Sequence, residues 1–280
     1  MAHTVSDIVA NFARLTPTSQ RTLRAFNDAV SYMKDVPDGY HLKFAVLEED
    51  DQSDWSASTV AGPSDGYFKF HVGLQNPKRG WLAGKGDDKF QYRGVELLLT
   101  RPDSKESDNI HSKQCLFKLH PRTGIIVVKA TTPSSPVRVE ENGELITLLP
   151  GETRALCQRR TRLMIGPFLF DFEYTFPFGN EFELRGELRQ ILLGEDGHEP
   201  PIDFCYIPMD KGAALRGDFY VSTATRGSGS FGWVHSAISK RTGESAAVKA
   251  LRIKNDRDRG EAMNEIRAWG IFTVSYAKSL

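Results

Sequence analysis

Short strand-like runs, spaced about ten residues apart, are the feature that most constrains the fold of this chain. They lie between residues 66 and 178, and turns containing polar residues, glycine or proline separate them. No long helical pattern stands between one run and the next, which favours a β-sandwich over a parallel α/β sheet. The predicted strands are residues 67–72, 95–99, 116–120, 125–129, 145–149, 163–165 and 168–176.

The N-terminal residues show a different periodicity. Apolar residues recur at intervals of three and four between residues 8 and 33, with a break at Thr16 and Pro17. This spacing predicts two short amphipathic helices, one on each side of the break. Turn residues end the pattern, and the alternation that follows over residues 40–46 predicts a strand. We therefore place a first boundary near residue 38.

Two further segments have a distinct composition. Residues 50–65 are rich in serine, aspartate and glycine, which predicts a long loop. Residues 181–193 return to helical spacing, and the turn-rich residues 194–201 that follow predict a linker. A second boundary is therefore expected before the C-terminal part of the chain.

The overall charge and the cysteine pattern exclude several classes of function. The 36 basic and 36 acidic residues balance, so no net field draws the chain to nucleic acid or to an anionic membrane. Cys115, Cys157 and Cys205 lack CxxC spacing, which argues against both a disulfide framework and a zinc site. Asp7 and Arg14 interrupt the apolar stretch that a secretory signal needs. We expect a cytoplasmic or nuclear protein without a metal, nucleic-acid or membrane partner.

A cluster of arginines lies in the second half of the strand-rich region. Apolar residues alternate with these arginines, an arrangement typical of the solvated side of a strand pair. An anion-binding site is the less favoured alternative. The cluster consists of Arg154, Arg159, Arg160 and Arg162.

The most specific motif is a glycine-rich stretch near the C-terminal end. Residues 227–234 read Gly-Ser-Gly-Ser-Phe-Gly-Trp-Val, and residues 247–249 read Ala-Val-Lys. A bare GxGxxG occurs by chance in roughly one chain of this length in ten, and the other fixed positions lower that chance by about five orders of magnitude. A dinucleotide fingerprint needs a helix directly after the glycines, and a P-loop needs Gly-Lys-Ser/Thr. Here the glycines lead instead into a strand, a turn and another strand.

This arrangement resembles the ATP-binding lobe of protein kinases over about residues 216–269. The resemblance implies that the glycines cover the phosphates of ATP, that Val234 and Ala247 contact the adenine, and that Lys249 holds the α- and β-phosphates. Residues 256–269 are predicted to form the following helix, with Glu265 as the partner of Lys249 and Glu261 as the alternative. The implied nucleotide-binding residues are Gly227, Ser228, Gly229, Ser230, Phe231, Gly232, Val234, Ala247, Lys249 and Glu265.

The chain departs from the kinase pattern after Lys249. The sequence contains no His-Arg-Asp, Asp-Phe-Gly or Ala-Pro-Glu, so the catalytic base and the Mg²⁺ ligands of the family are not among its residues. Residues 270–280 do not follow the kinase pattern either, which we interpret as a truncation or a misjoined reading frame. We expect no catalytic residue here, and the sequence leaves open whether the chain is an enzyme.

Residues 66–178 resemble, through the order of their motifs, a forkhead-associated (FHA) domain, which is a phosphothreonine-binding β-sandwich. The similar stretches are residues 81–85, 110–115, 149–152 and 163–170. The resemblance implies that Lys85, Ser112 and Lys113 hold a phosphate on loops at one end of the sandwich. Cys115 stands where the family has a buried histidine that braces these loops, and residues 134–137 replace its Ser-x-Asn-Gly. A scaffold sandwich that does not bind phosphate is the alternative.

Together these patterns predict a mainly β protein: an FHA-like β-sandwich with short N-terminal helices, followed by a truncated kinase N-lobe. The implied function is that of a serine/threonine-type protein kinase fragment, whose ligands are ATP and a phosphorylated protein or peptide. The alternative is a non-catalytic signalling adaptor with a vestigial nucleotide loop. The predicted parts are an N-terminal helical segment (1–38), the sandwich (39–180), a helix and linker (181–215), and the partial N-lobe (216–280).

Overall fold

The computed structural model describes most of the sandwich and the C-terminal sheet. The described residues are 12–36, 40–47, 66–71, 79–87, 89, 91–121, 123–141, 143–175, 213–229, 232–251 and 253–269. The loop predicted for residues 50–65, the helix predicted for 181–193 and the linker lie outside them. Within the described part the protein is mainly β, as the sequence predicts, and it forms three sheets.

The described elements are sixteen strands, two α-helices and three short 3₁₀ turns. The strands are β1 Ala13–Pro17, β2 Ala45–Leu47, β3 Gly66–Phe70, β4 Trp81–Gly84, β5 Leu97–Leu98, β6 Cys115–Leu119, β7 Ile126–Ala130, β8 Val137–Glu141, β9 Glu144–Leu148, β10 Thr153–Ala155, β11 Arg160–Ile165, β12 Phe168–Tyr174, β13 Ala213–Arg216, β14 Phe219–Gly229, β15 Gly232–Ser239 and β16 Ser245–Leu251. The α-helices are α1 Gln20–Asp35 and α2 Asp256–Trp269, and the 3₁₀ turns are His41–Phe44, Gln91–Gly94 and Lys105–Asn109.

Two packed sheets form the sandwich. The first has the strand order β2-β3-β1-β12-β11-β8-β9, and the second has the order β10-β7-β6-β4-β5. Alternate residues of each strand point into the space between the sheets, as the period of two requires. The Phe70 ring lies at the centre of this core, 5.4 Å from Trp81, 5.1 Å from Phe117 and 5.6 Å from Phe172 between ring centroids. The predicted sandwich is therefore present.

The prediction of a helix before Pro17 is wrong for the described residues. Residues 13–17 form β1, which pairs with β3 on one side and β12 on the other. Pairing on both sides satisfies the main chain, and Ala13 and Leu15 enter the core. Arg14 separates Ala13 from Leu15, an alternation that fits a strand, and pairing with both neighbouring strands selects that conformation.

The second predicted helix is present as α1. The Ser19 hydroxyl caps its N-terminus by accepting a hydrogen bond from the Thr22 N–H at 3.2 Å. Its apolar stripe contributes Phe26, Val30 and Met33 to the core that the two sheets share. Because β1 and α1 both belong to the sandwich, residue 38 does not separate two structural units.

The strand predicted for residues 40–46 is also only partly correct. Residues 41–44 form a 3₁₀ turn, and only Ala45–Leu47 continue as β2. The turn places His41 and Phe44, which are three residues apart, in the protein interior. Such spacing fits one face of a 3₁₀ turn, whereas a strand would have directed these residues to opposite sides.

The C-terminal sheet has the strand order β13-β14-β15-β16 and is antiparallel. The predicted sequence of strand, turn and strand corresponds to β15, the turn at residues 240–243, and β16. The helix α2 has the predicted bounds, and Asn255 caps it by accepting the Asp258 N–H at 2.9 Å. Neither α1 nor α2 is long and apolar enough to cross a membrane.

Candidate phosphate-binding sites

Three loops meet at one end of the sandwich, and we call them the apical loops. They comprise residues 84–87, 110–114 and 131–136. The Lys85 N–H donates to the His111 carbonyl at 3.2 Å, and the Gly86 N–H donates to the Ser112 carbonyl at 3.0 Å. The structure therefore places Lys85 and Ser112, two of the predicted phosphate-binding residues, on adjoining loops.

The three predicted side chains have different neighbours at this end. The Lys85 ammonium donates to the Ser107 carbonyl at 3.0 Å, and an ammonium has two further protons for other acceptors. Ser112 is half-buried, with its hydroxyl 3.5 Å from His111 Nδ1. Lys113 is anchored through its main chain, whose N–H donates to His111 Nδ1 at 3.3 Å.

Gly84 allows the first two apical loops to approach this closely. A Cβ at position 84 would lie 2.3 Å from the Ser112 carbonyl oxygen and 2.8 Å from that of His111. Both contacts are to main-chain atoms, which cannot rotate away as a side chain could. Glycine is therefore required for the observed approach of the loops.

Gln114 braces the second apical loop against the third, a role that the sequence analysis missed. Its side chain is fully buried. The amide oxygen accepts the His111 N–H at 2.9 Å, and the amide nitrogen donates to the Ser135 carbonyl at 2.5 Å. The only sequence signal was an amide directly before an apolar strand, and sequence alone does not tell a buried amide from an exposed one.

Cys115, where the FHA resemblance led us to expect a bracing histidine, lies in the sandwich core instead. Its side chain is fully buried in the sandwich core, and burial raises the pKa of its thiol. Two more hydrogen bonds hold the third loop: Ser135 Oγ donates to the Asn109 carbonyl at 2.9 Å, and Thr131 Oγ1 donates to the Lys113 carbonyl. The apical loops are thus braced without a histidine at position 115.

The glycine-rich residues form the β14–β15 hairpin. Gly229 pairs with Gly232, Gly227 pairs with Val234, and Val234 pairs in turn with Lys249. Directly opposed residues of an antiparallel sheet share a face, so Gly227, Val234 and Lys249 form a row across three strands. Ala247 lies two residues before Lys249 and shares that face. The structure brings together these four predicted nucleotide-binding residues.

This row forms an open surface. A Cβ added at Gly227 would have no neighbour within 4 Å, and Ala247 and Lys249 are exposed. Gly232 differs, because a Cβ there would lie 2.0 Å from the Ala250 carbonyl oxygen of β16. Gly227 thus leaves room for a ligand, whereas Gly232 is required for strand packing.

The remaining predicted nucleotide-binding residues give less information. Ser228 is exposed and pairs with Trp233. Ser230 and Phe231 lie outside the described residues, as does the side chain of Glu265. The pairing of Glu265 with Lys249 stays a prediction. Pairing of Lys249 with the alternative partner Glu261 also stays a prediction, and Glu261 forms an ion pair with Arg257 at 3.1 Å.

The arginine cluster separates into two environments. Arg160 and Arg162 lie on the exposed side of β11, as predicted, and form ion pairs with Glu173 at 3.1 Å and Asp171 at 3.5 Å. Arg154 contradicts the prediction of a solvated side chain. It is buried, with its Nε 3.0 Å from Glu141 Oε1, because the C-terminal sheet covers this edge of the sandwich.

In the part of the chain that the structure describes, no three histidine, cysteine or acidic residues are grouped to hold a metal ion.

Comparisons with known proteins give a structural likeness but no sequence match. No protein-family model and no curated protein sequence matches the chain. Among solved structures it is similar to the crystal structure of Rad53 1-466 in complex with AMP-PNP, with a TM-score of 0.39 and 15% sequence identity. The similar region covers 69% of this chain and 40% of that solved chain. The fold described above therefore rests on the strands and contacts of this chain itself.

Proposed function

We propose that this chain is part of a serine/threonine-type protein kinase, in which an FHA-like sandwich binds phosphorylated proteins and the C-terminal sheet belongs to the ATP-binding lobe. The observation that carries the proposal is the set of braced apical loops, which presents Lys85, Ser112 and Lys113 at one end of a rigid scaffold. Such loops on a rigid sandwich are well suited to hold a ligand, because their geometry is set before binding.

The three side chains supply the chemistry that phosphate recognition needs. The two lysines would donate charge-assisted hydrogen bonds to phosphate oxygens, and the Ser112 hydroxyl would donate another. The fixed main chains of the loops would set the distance between these donors. A phosphothreonine peptide is the ligand that this arrangement and the FHA resemblance favour.

The row on the C-terminal sheet supports ATP as the second ligand. Lys249 would hold the α- and β-phosphates, Gly227 would let the main chain approach them, and Val234 and Ala247 would contact the adenine. ATP with Mg²⁺ supplies the γ-phosphoryl group in the family's reaction. The catalytic base and Mg²⁺ ligands of that reaction are not encoded in the chain, so we expect these residues to bind nucleotide without transferring phosphate.

The second candidate is a non-catalytic signalling adaptor, which uses only the sandwich. The bracing of the apical loops favours it, because Lys85 and Gln114 are held by hydrogen bonds within the sandwich. Incubating the purified chain with Mg-ATP and a generic protein substrate tests the expectation that both functions share, that this chain does not transfer phosphate. We expect no phosphate transfer, and time-dependent, metal-dependent transfer would contradict our assignment of the missing groups.

Phosphopeptide binding is tested directly on the full chain with a phosphothreonine peptide library and matched unphosphorylated peptides. Lys85→Ala and Ser112→Ala should each weaken binding about tenfold or more without lowering the melting temperature, because charge-assisted bonds contribute about 1.5–3 kcal/mol. Lys118→Ala is the matched control, since Lys118 is exposed in the middle of β6. Unchanged affinity in both apical variants would contradict the proposed site.

A further inference from the structure

The outer face of the five-stranded sheet carries a second apolar cluster, separate from the sandwich core. In β7, Ile126 and Val128 point into the core, so the intervening Val127 points outward. Val127 joins a buried cluster whose members come from both the sandwich and the C-terminal sheet. The members are Ile125, Val127, Ala155, Cys157, Tyr220 and Ile238.

The β15–β16 turn is hydrogen-bonded to the sandwich at three points. The Ala155 N–H donates to the Lys240 carbonyl at 2.7 Å. Thr153 Oγ1 donates to the Arg241 carbonyl at 2.7 Å, and Thr123 Oγ1 donates to the Gly243 carbonyl at 2.9 Å. The sandwich therefore contacts three carbonyl groups within four residues of the turn, and a turn of different shape would lose them.

A buried carboxylate lies beside this turn. Glu141 ends β8, and its side chain is 2% exposed. Its Oε1 lies 3.0 Å from Arg154 Nε in the sandwich, and its Oε2 lies 3.9 Å from Lys240 Nζ in the turn. Glu141 thus faces one cation from the sandwich and one from the C-terminal sheet. Lys240 Nζ also lies 3.7 Å from Asp218 Oδ1 at the β13–β14 turn.

We propose that Glu141 is the positioning residue of a docking surface that fixes the C-terminal sheet to the outer face of the sandwich. The partner is the C-terminal sheet of the same chain. It is recognised by three carbonyl groups and Lys240 of the β15–β16 turn, and by the apolar residues Tyr220 of β14 and Ile238 of β15. A buried carboxylate is stable only with good partners, so correct docking of Lys240 is favoured over displaced arrangements.

The docking surface begins at the end of the sandwich away from the apical loops and extends along its outer face to Thr153, which pairs with Lys129 of β7. The turn at Thr123 and the start of β7 contact the C-terminal sheet, whereas β7 ends at Ala130, directly before the third apical loop. Strand β8 runs the opposite way, from Val137 after that loop to Glu141 at the docking surface.

Cys157 reports on this interface. It is 3% exposed within the shared cluster, whereas Cys115 is buried in the sandwich core. Opening of the interface alone should expose Cys157, and exposure of Cys115 requires unfolding of the sandwich. Alkylation of the full chain, followed by mass spectrometry of the separate peptides, measures the two rates in one sample.

We expect Glu141→Gln to raise the alkylation rate of Cys157 about tenfold or more while that of Cys115 stays unchanged, because the neutral amide leaves Lys240 without its buried partner. Lys240→Met should give a smaller rise. The double variant should not exceed Glu141→Gln, because that single substitution already removes the interaction between Glu141 and Lys240. Additive effects, or equal acceleration of both cysteines by Glu141→Gln, would overturn the positioning role of Glu141.

A charge-neutral variant separates loss of docking from a change in the thiol itself. Burial, and then the charge of Glu141, raises the pKa of Cys157, so Glu141→Gln also alters this thiol directly. The double variant Thr123→Val/Thr153→Val removes two docking hydrogen bonds without changing charge, and it should raise the Cys157 rate several-fold. Thr147→Val is the matched control, because Thr147 is exposed on β9 and bonds Arg138 within the sandwich. An unchanged Cys157 rate in the double variant would overturn the docking surface.

Discussion

The apical loops and the glycine-rich hairpin with the adjoining β16 both contain serine and lysine residues that we predict to bind phosphate, but they are held in different ways. Gly84 lies against the main chain of a second loop, and Gln114 joins that loop to a third. Around Gly227 there is open space, and the hairpin is held by its pairing with β16 and β13. The same residue types therefore occur in a braced site and in an open one.

This difference separates a site that is preorganised from one that is not. The hydrogen bonds of the apical loops fix their geometry before a ligand arrives, so little conformational entropy should be lost on binding. The hairpin row is exposed, and a nucleotide placed on it would be covered on one side. We therefore expect tighter binding at the apical loops than at the hairpin.

The largest expected effect tests whether the apical loops depend on the N-terminal elements. A chain that starts at residue 39 lacks β1 and α1, and with them Leu15, Phe26 and Met33 from the core. Each of these buried side chains contributes about 1.5–3 kcal/mol, and whole domains are stable by only about 5–15 kcal/mol. We expect this chain to lose its cooperative thermal transition, measured by circular dichroism. A chain that starts at residue 12 is the control, and a normal transition in the shorter chain would contradict the placement of β1.

The next effect sharpens the distinction between a braced and an open site. Gln114→Leu keeps the volume of the side chain but leaves the His111 N–H and the Ser135 carbonyl without their partner. Each buried unpaired group costs about 1–3 kcal/mol, so the free energy of unfolding should fall by that order. Phosphopeptide affinity, measured by calorimetry, should fall with it. The exposed Gln158 provides the control Gln158→Leu, and equal effects of the two variants would show that Gln114 braces nothing.

The same small substitution at two glycines compares the regions directly. Gly84→Ala places a Cβ against two carbonyl oxygens and should lower the free energy of unfolding by about 1–3 kcal/mol, as overpacking does. Gly227→Ala meets open space and should change it by less than about 0.5 kcal/mol. Chemical denaturation of both variants measures the difference. Similar losses in the two variants would mean that the hairpin is packed as tightly as the apical loops.

The smallest effect concerns Lys249. Its side chain is exposed, so Lys249→Ala should change the free energy of unfolding by less than about 0.5 kcal/mol. Weak binding of Mg-ATP to the parent chain adds only about 0.4 kcal/mol when the nucleotide concentration equals Kd, and the variant should lose even this shift. Thermal denaturation with and without Mg-ATP measures it. A submicromolar Kd that Lys249→Ala removes would show that the hairpin is a self-sufficient nucleotide site.

Local pattern predicted several elements of the fold because their physical signal is contained within a few residues. Alternation located β6, β7, β9 and β12 to within about two residues, a normal error for strand ends. The glycines, the turn residues and Lys249 correctly predicted the hairpin and β16. Such a hairpin depends mainly on the backbone conformation of its own residues, so its signal is local. The break at Thr16 and Pro17 likewise located the start of α1, which begins at Gln20.

The candidate sites were predicted less completely than the fold. The order of motifs placed Lys85 and Ser112 on loops at one end of the sandwich, and the kinase resemblance assigned Val234 and Lys249 to one nucleotide site. Gln114 and Glu141 were missed, because each owes its role to partners on other strands. No pattern within a single segment indicates whether a polar side chain will be buried.

The sequence by itself determined the strand-rich character of the protein, the glycine hairpin with Lys249, and the helices α1 and α2. Only the tertiary structure decided that residues 13–17 are a strand, because β3 and β12 supply the hydrogen bonds that select it. It also decided that Arg154 is buried opposite Glu141 and that the C-terminal sheet covers the outer face of the sandwich. Such outcomes depend on which distant segments meet, and the free energy that selects them comes from burial and pairing across those contacts rather than from local propensity.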